Sequence, residues 1–113
     1  MRARHPCKAR LLAAITILLG IALGPEAQAG DAAAGLKKSA ICASCHGPVG
    51  KSPIPTYPNI AGQNPLYIDY ALQRYKAGER RGAQAGMMYT VTQALTAADI
   101  ADLAAYYSSL PAR

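Results

Sequence analysis

Cys42-Ala43-Ser44-Cys45-His46 is the most informative stretch of this 113-residue sequence. C-x-x-C-H is the spacing by which a polypeptide attaches a c-type haem. On a helix, residues three apart lie on nearly one face, so both thiols reach the two vinyl groups of one porphyrin. The next residue is rotated by about a quarter turn, which carries the imidazole of His46 over the ring toward the iron. A dithiol oxidoreductase also uses C-x-x-C, but within a βαβ pattern. No stretch after residue 29 alternates as a strand.

Residues 1–29 have the composition of a secretory signal. Arg2, Arg4, Lys8 and Arg10 form a basic leader, Leu11 to Gly24 is an apolar run, and Ala27-Gln28-Ala29 supplies the small residues of a cleavage site. The apolar run falls short of the roughly 20 residues of a comfortable transmembrane helix. Cys7 precedes the run, which argues against a lipoprotein anchor. A cleaved leader, no permanent membrane anchor and a periplasmic domain over residues 30–113, starting near Ala29/Gly30, are therefore expected.

Removing the leader sharpens the counts. Residues 30–113 hold eight Lys/Arg and five Asp/Glu, a net charge of +3. The high pI of the whole chain is then weak ground for a nucleic-acid partner, which wants a basic stripe on the folded domain. Cys42 and Cys45 are the only cysteines left, and His46 is the only histidine. This excludes a haem held by two histidines of one chain, and a zinc site of the usual Cys/His type. The domain has no Phe and no Trp, so seven Tyr carry its aromatic bulk. A core of this size is marginal alone, and a porphyrin would fill it.

Asp31 is a helix N-cap, and a first helix is predicted over 32–43. Gly35 interrupts its good helix formers, at a cost of up to about 1 kcal/mol relative to Ala, and allows another helix to approach closely. From Gly47 to Gln63, four prolines exclude a helix. A second helix opens with Asn64 as cap and Pro65 at its first position, and closes at Gly78. Its apolar stripe is Ile68, Leu72 and Tyr75. Glu79 to Gly86 reads as a polar loop, and Met87 to Leu95 as a short segment with room for a helical turn. Thr96 and Asp99 form a variant capping box for a last helix over 97–109, stopped by Pro111. The expected fold is all-α: one domain of three main helices with long loops wrapped around one haem.

An iron bound by one histidine takes a second ligand or stays open to small molecules. An open position, binding gas or turning over peroxide, is the enzyme-like reading. The sulfur candidates beyond the leader are Met87 and Met88. A thioether ligand favours reduced iron and suits an electron carrier; the competing role for both is gap-filling in the core.

Residues Gly30 to Gly35, Cys42 to Gly47, Tyr57-Pro58-Asn59-Ile60-Ala61-Gly62-Gln63, Met87-Met88 and Leu95 to Leu110 resemble a class I cytochrome c. The likeness is to the small periplasmic c-553-like single-haem type and to single halves of two-haem relatives. It implies one haem c per chain, linked through Cys42 and Cys45. His46 and Met88 would be the axial ligands, because the family's methionine lies seven positions before the leucine that precedes the last helix, here Leu95. Met87 stands as the alternative. The resemblance also assigns the Pro58 carbonyl as acceptor from the far nitrogen of His46, which fixes ring orientation. Asn59 and Gln63 would bond backbone or a propionate, and Tyr67 and Tyr75 would pack on the porphyrin or fill the core. Gly35, Leu103 and Tyr106 match the crossing of first and last helices. Relatives often carry glutamine where this chain has Ala71.

These readings imply a periplasmic electron carrier with no catalytic residue. The alternative is a haem c subunit of a larger membrane or periplasmic oxidoreductase complex. Partners would be redox proteins such as a membrane oxidoreductase or a terminal oxidase. Lys37, Lys38, Lys51, Arg74, Lys76, Arg80 and Arg81 are cations that could steer an acidic partner.

Overall fold

The computed structural model describes residues 29–112, so the leader reading lies outside the described residues except for Ala29. Five helices follow one another with no strand among the described residues: α1 (Ala32–Lys38), α2 (Ala40–His46), α3 (Pro65–Lys76), α4 (Ala85–Thr92) and α5 (Ala97–Ser109). The fold is all-α, as expected, with two more helices than the three anticipated.

The first extra helix comes from a break in the segment predicted as one helix over 32–43. Asp31 caps α1 as foreseen, its Oδ1 accepting from Ala33 N at 2.8 Å and Ala34 N at 3.3 Å. At Ser39 the backbone N–H turns to the Leu36 carbonyl at 3.2 Å, and the hydroxyl donates to the same oxygen at 2.8 Å. Serine hydroxyls offer the backbone this local alternative, which tightens the turn. Helix then resumes and runs three residues past Ala43 to His46, where Gly47 ends it at φ +80°. The whole C-x-x-C-H stretch therefore lies on one short helix.

The second extra helix is α4, which places Met87 and Met88 on helix rather than in a loop. Thr90 and Thr92 donate back to the carbonyls of Gly86 (3.1 Å) and Met88 (2.8 Å), so their hydroxyls are satisfied inside it.

The two long helices match the sequence closely. Asn64 Oδ1 accepts from Leu66 N (2.9 Å) and Tyr67 N (3.3 Å), with Pro65 opening α3. At α5 both halves of the capping box are made: Asp99 N donates to Thr96 Oγ1 (3.1 Å) and Thr96 N to Asp99 Oδ2 (2.8 Å).

α5 is the central element. α1 crosses it, α3 packs beside it, and α4 packs on α3. The buried cluster joins Ile68 of α3 to Leu103, Ala104, Tyr106 and Tyr107 of α5, with Leu72, Ile60, Leu95, Leu110 and Cys42 against it. At the crossing, a Cβ on Gly35 would lie well inside contact with the Asp102 carbonyl and 2.7 Å from Tyr106 Cβ. Beside it, Lys38 Nζ sits 2.7 Å from Asp99 Oδ1 and 2.6 Å from Asp102 Oδ2. Asp102 Oδ1 also accepts from Asp31 N at 2.8 Å. One cation and two carboxylates thus lock α1 to α5 at a second level.

Two tests address the crossing. Gly35→Ala in a helix free of contacts would stabilise by up to about 1 kcal/mol; here overpacking should reverse the sign and cost about 1–3 kcal/mol, read from urea unfolding. The Lys38 ammonium, aided by the backbone N–H groups of Thr96 and Asp31 respectively, holds the Asp99 and Asp102 carboxyls below the usual range. Those carboxylates, mainly Asp102 and then Asp99, raise Lys38 in turn. The carboxylate contribution is complete above the unfolded value near 4 and is lost as pH falls through the folded values; the lysine contribution fades only above about 10.4. Asp102→Asn should lower the urea midpoint at pH 7, and its gap to the wild type should narrow below about pH 4.

Candidate functional site

α2 supplies the reactive groups. Cys42 and Cys45, three apart, are partly buried free thiols. Burial pushes the Cys42 thiol up, and the Tyr107 hydroxyl beside it pulls the other way. His46 is buried at 7% exposure, and its Nδ1 lies 2.8 Å from the Pro58 carbonyl oxygen. A carbonyl only accepts, so Nδ1 carries a proton, and the neutral ring then has its lone pair on Nε2. That is the tautomer a metal-binding imidazole needs.

The loop after α2 is built to hold that carbonyl in place. The Gly50 carbonyl accepts from both Ile60 N (2.8 Å) and Ala61 N (3.0 Å), which closes the loop on itself. Gly47 takes a left-handed φ, and a Cβ there would run into the Lys51 carbonyl. Ser52 Oγ lies 2.8 Å from the Cys45 carbonyl, satisfying one of the acceptors that the end of α2 leaves open. Asn59 Oδ1 accepts from Ser52 N at 2.8 Å, and Gln63 Oε1 from Asn64 N at 2.8 Å. Both amide oxygens are engaged by backbone. Gly62 N donates to the Tyr107 carbonyl at 2.8 Å and fastens the loop to α5.

The sulfur candidates arrive from the other side of the chain. Met88 is partly buried, whereas Met87 is 46% exposed and receives the Tyr57 hydroxyl at 3.7 Å from Sδ. Tyr57 precedes Pro58, so one dipeptide touches both His46 and α4. Tyr67 stands 47% exposed on α3. Tyr75 is partly buried, with the Arg80 guanidinium 4.5 Å from its ring centroid. Sequence reasoning missed three contacts: Tyr57 on Met87, Arg80 on Tyr75, and Tyr107 at Cys42. None leaves a spacing signal, because each joins residues separated by a turn or by half the domain.

The residues present fit a c-type haem. The donor set pairs two thiols, an imidazole with one nitrogen free, and two thioethers. The buried apolar cluster is small, while Ile41, Val49, Ile54, Leu66, Tyr67, Met87 and Tyr89 are each more than a third exposed. An extra apolar body has surface here to cover. Tyr107, 2% exposed, has a hydroxyl with no hydrogen-bond partner among the described residues. Among those residues no three His, Cys, Asp or Glu side chains gather as a metal site, and no helix is long and apolar enough to cross a membrane.

The family model "Cytochrome c" matches residues 31–111. The chain is 47% identical over 81 residues to cytochrome c-554(548) of Halomonas halodenitrificans, covering 72% of this chain and 98% of that protein. The crystal structure of reduced recombinant cytochrome c4 from Pseudomonas stutzeri superposes with a TM-score of 0.60 at 41% identity, over 74% of this chain and 47% of that one. This chain thus spans about half the length of that relative. The thiosulfate dehydrogenase of Marichromatium purpuratum gives a TM-score of 0.67 at 33% identity, over 73% of this chain and 20% of that one. The chain belongs to the cytochrome c family, and is a haem-bearing electron carrier rather than an enzyme.

Proposed function

We propose that this protein carries electrons in the periplasm through a single haem c in a domain spanning residues 30–113, with residues 1–29 as a cleaved signal peptide. Cys42 and Cys45 hold the haem covalently, and His46 and Met88 bind its iron. The observation that carries this reading is the bond from His46 Nδ1 to the Pro58 carbonyl, which leaves Nε2 available on the helix that also bears both thiols. Bound there, the haem supplies a one-electron couple, which a thioether ligand shifts toward the reduced form.

The preference for Met88 has structural support. Successive helical residues point about 100° apart, so Met87 and Met88 do not present sulfur in one direction. Tyr57 engages the Met87 thioether and leaves that of Met88 free of it. Pro58 orients the histidine, Asn59 holds the loop that bears Pro58, and Tyr67 and Tyr75 line the haem.

Partner recognition rests on the charges left after internal pairing. Lys38 and Arg74 are neutralised by Asp99/Asp102 and Glu79. Lys76 donates to the Gln93 and Leu95 carbonyls. Among the described residues, Lys37, Lys51, Arg80 and Arg81 remain to meet an acidic redox protein, such as a membrane oxidoreductase or a terminal oxidase, and to speed encounter more than to tighten binding. A second reading, a haem c subunit of a larger oxidoreductase complex, is favoured by the likeness to one part of the Marichromatium thiosulfate dehydrogenase chain. Co-purification of a stoichiometric partner would select it.

The coordination is tested by absorption spectra of the protein purified from periplasm in both oxidation states. Met88→Ala should abolish the weak methionine-to-ferric-iron band and lower the reduction potential, while Met87→Ala should keep the band. Loss of the band in Met87→Ala alone would assign Met87 instead, and an unchanged band in both would remove methionine from the iron.

A further inference from the structure

Ser52 is a partly buried residue of the proline-rich loop between α2 and α3, and its N–H and hydroxyl are both fully engaged. The N–H donates to Asn59 Oδ1 at 2.8 Å. The hydroxyl accepts from Ile54 N at 3.1 Å, a local turn of the kind serine favours. It has one hydrogen to give, and that hydrogen faces two carbonyls, Cys45 at 2.8 Å and Ile54 at 2.9 Å, in a three-centre arrangement. The Ile54 carbonyl also accepts from Tyr57 N at 3.0 Å. The Cys45 carbonyl lies in the last turn of α2, where no helical amide follows to reach it, so it is the oxygen in greater need of the hydroxyl.

These bonds close a circuit around the imidazole. Cys45 leads by one peptide bond to His46, whose Nδ1 lies 2.8 Å from the Pro58 carbonyl. Pro58 leads by one peptide bond to Asn59, whose side chain holds Ser52 N, and the Ser52 hydroxyl returns to Cys45. Proline fixes its own φ at about −65°, so the direction of the Pro58 carbonyl is set by ψ alone. The side chain of Asn59, next along the chain, is placed to hold that rotation. Pro58 and Asn59 are both exposed, so water competes with the imidazole for the carbonyl of any loop left free to turn.

We propose that Ser52 and Asn59 are positioning residues for the haem iron: by linking the Cys45 and Pro58 backbones they fix the strength of the His46–Pro58 hydrogen bond, and with it the reduction potential. A carbonyl that accepts from Nδ1 draws the proton away from the ring and makes Nε2 the stronger electron donor. A stronger donor favours oxidised iron, so the circuit holds the potential down while a thioether on the other face raises it. The Ser52 hydroxyl ties this control to the backbone of an attachment cysteine. The carbonyl that tunes the histidine is thereby held in register with the residue that carries the haem.

The proposal rests on reading His46 as an iron ligand, and the two fail differently. In the reduced holoprotein, the NMR ring-proton signals of His46, the only histidine beyond residue 29, should be displaced by the porphyrin ring current. Ordinary positions would defeat the ligand reading itself. With the signals displaced, Ser52→Ala should raise the reduction potential. It should also speed solvent exchange of the His46 Nδ1 proton about fivefold or more, the change that one hydrogen bond's usual net contribution makes. Ser52→Thr, which keeps the hydroxyl, should restore both toward wild-type values. Asn59→Ala, which leaves the Cys45 bond in place, should act in the same direction, and it carries the test if Ser52→Ala does not accumulate. Because the two residues form one link, the double substitution should shift the potential no further than the larger single one. A potential that stays or falls in either single variant would overturn the proposal. So would additive shifts in the double variant, or a Ser52→Thr protein that behaves as Ser52→Ala does. A loss of thermal stability with neither signal moved would show the circuit to be loop packing alone.

Discussion

The close approach of α1 to α5 at Gly35 is the constraint on which the site depends. Helix backbones come this near only where a side chain is missing, and Gly35 sits against the Asp102 carbonyl and Tyr106. α2 follows α1 after a single turn at Ser39, so the angle of α1 on α5 decides where the C-x-x-C-H helix points. Lys38, bridging Asp99 and Asp102, holds the crossing against rotation. Exposed ion pairs contribute little one by one, but here one cation serves two carboxylates that also cap helices. Asp99 completes the capping box of α5, and Asp102 accepts from Asp31 N at the start of α1.

From that crossing the chain reaches the histidine by two routes that converge on Tyr107. α2 brings Cys42 against the buried cluster from one side. The loop after His46 returns from the other, and Gly62 N bonds the Tyr107 carbonyl. Between these points the Gly50 carbonyl gathers two amides and the Pro58 carbonyl takes the imidazole proton. The loop is long and rich in proline, yet its hydrogen bonds run inward. Its conformational entropy is low because proline limits the unfolded chain as well.

Much of this was legible in the sequence because it rests on short-range rules. Asn64-Pro65 marked the opening of α3, and Thr96 with Asp99 that of α5. What the sequence hid was set by competition at single residues or by contacts between distant ones. The break at Ser39 follows from one hydroxyl choosing the Leu36 carbonyl, and nothing in the pattern from 32 to 43 forbids a continuous helix. Met87 to Leu95 reads in the sequence as a short segment with room for a helical turn, and a glycine and two threonines lower the helix propensity of α4. Both threonine hydroxyls find carbonyls within the helix, and its packing on α3 supplies the rest. The Tyr107–Cys42 neighbourhood spans 65 positions and leaves no periodic trace.

The helical state of α4 also bears on how a methionine is aimed. A sulfur on a loop is placed by the loop's own turns, whereas one on a helix is placed by whatever sets the rotation of that helix. Here the C-terminal ends of α3 and α4 bond each other reciprocally. Lys76 Nζ donates to the carbonyls of Gln93 and Leu95, and Gln93 Nε2 donates back to the Lys76 carbonyl at 3.0 Å. Thr92, fully buried, anchors the inner face of the same turn. With one end fixed, the register of α4 determines which of two adjacent thioethers faces inward, and Tyr57 engages the other. The orientation of the methionines is therefore decided at Lys76, Thr92 and Gln93, residues that themselves carry no haem chemistry.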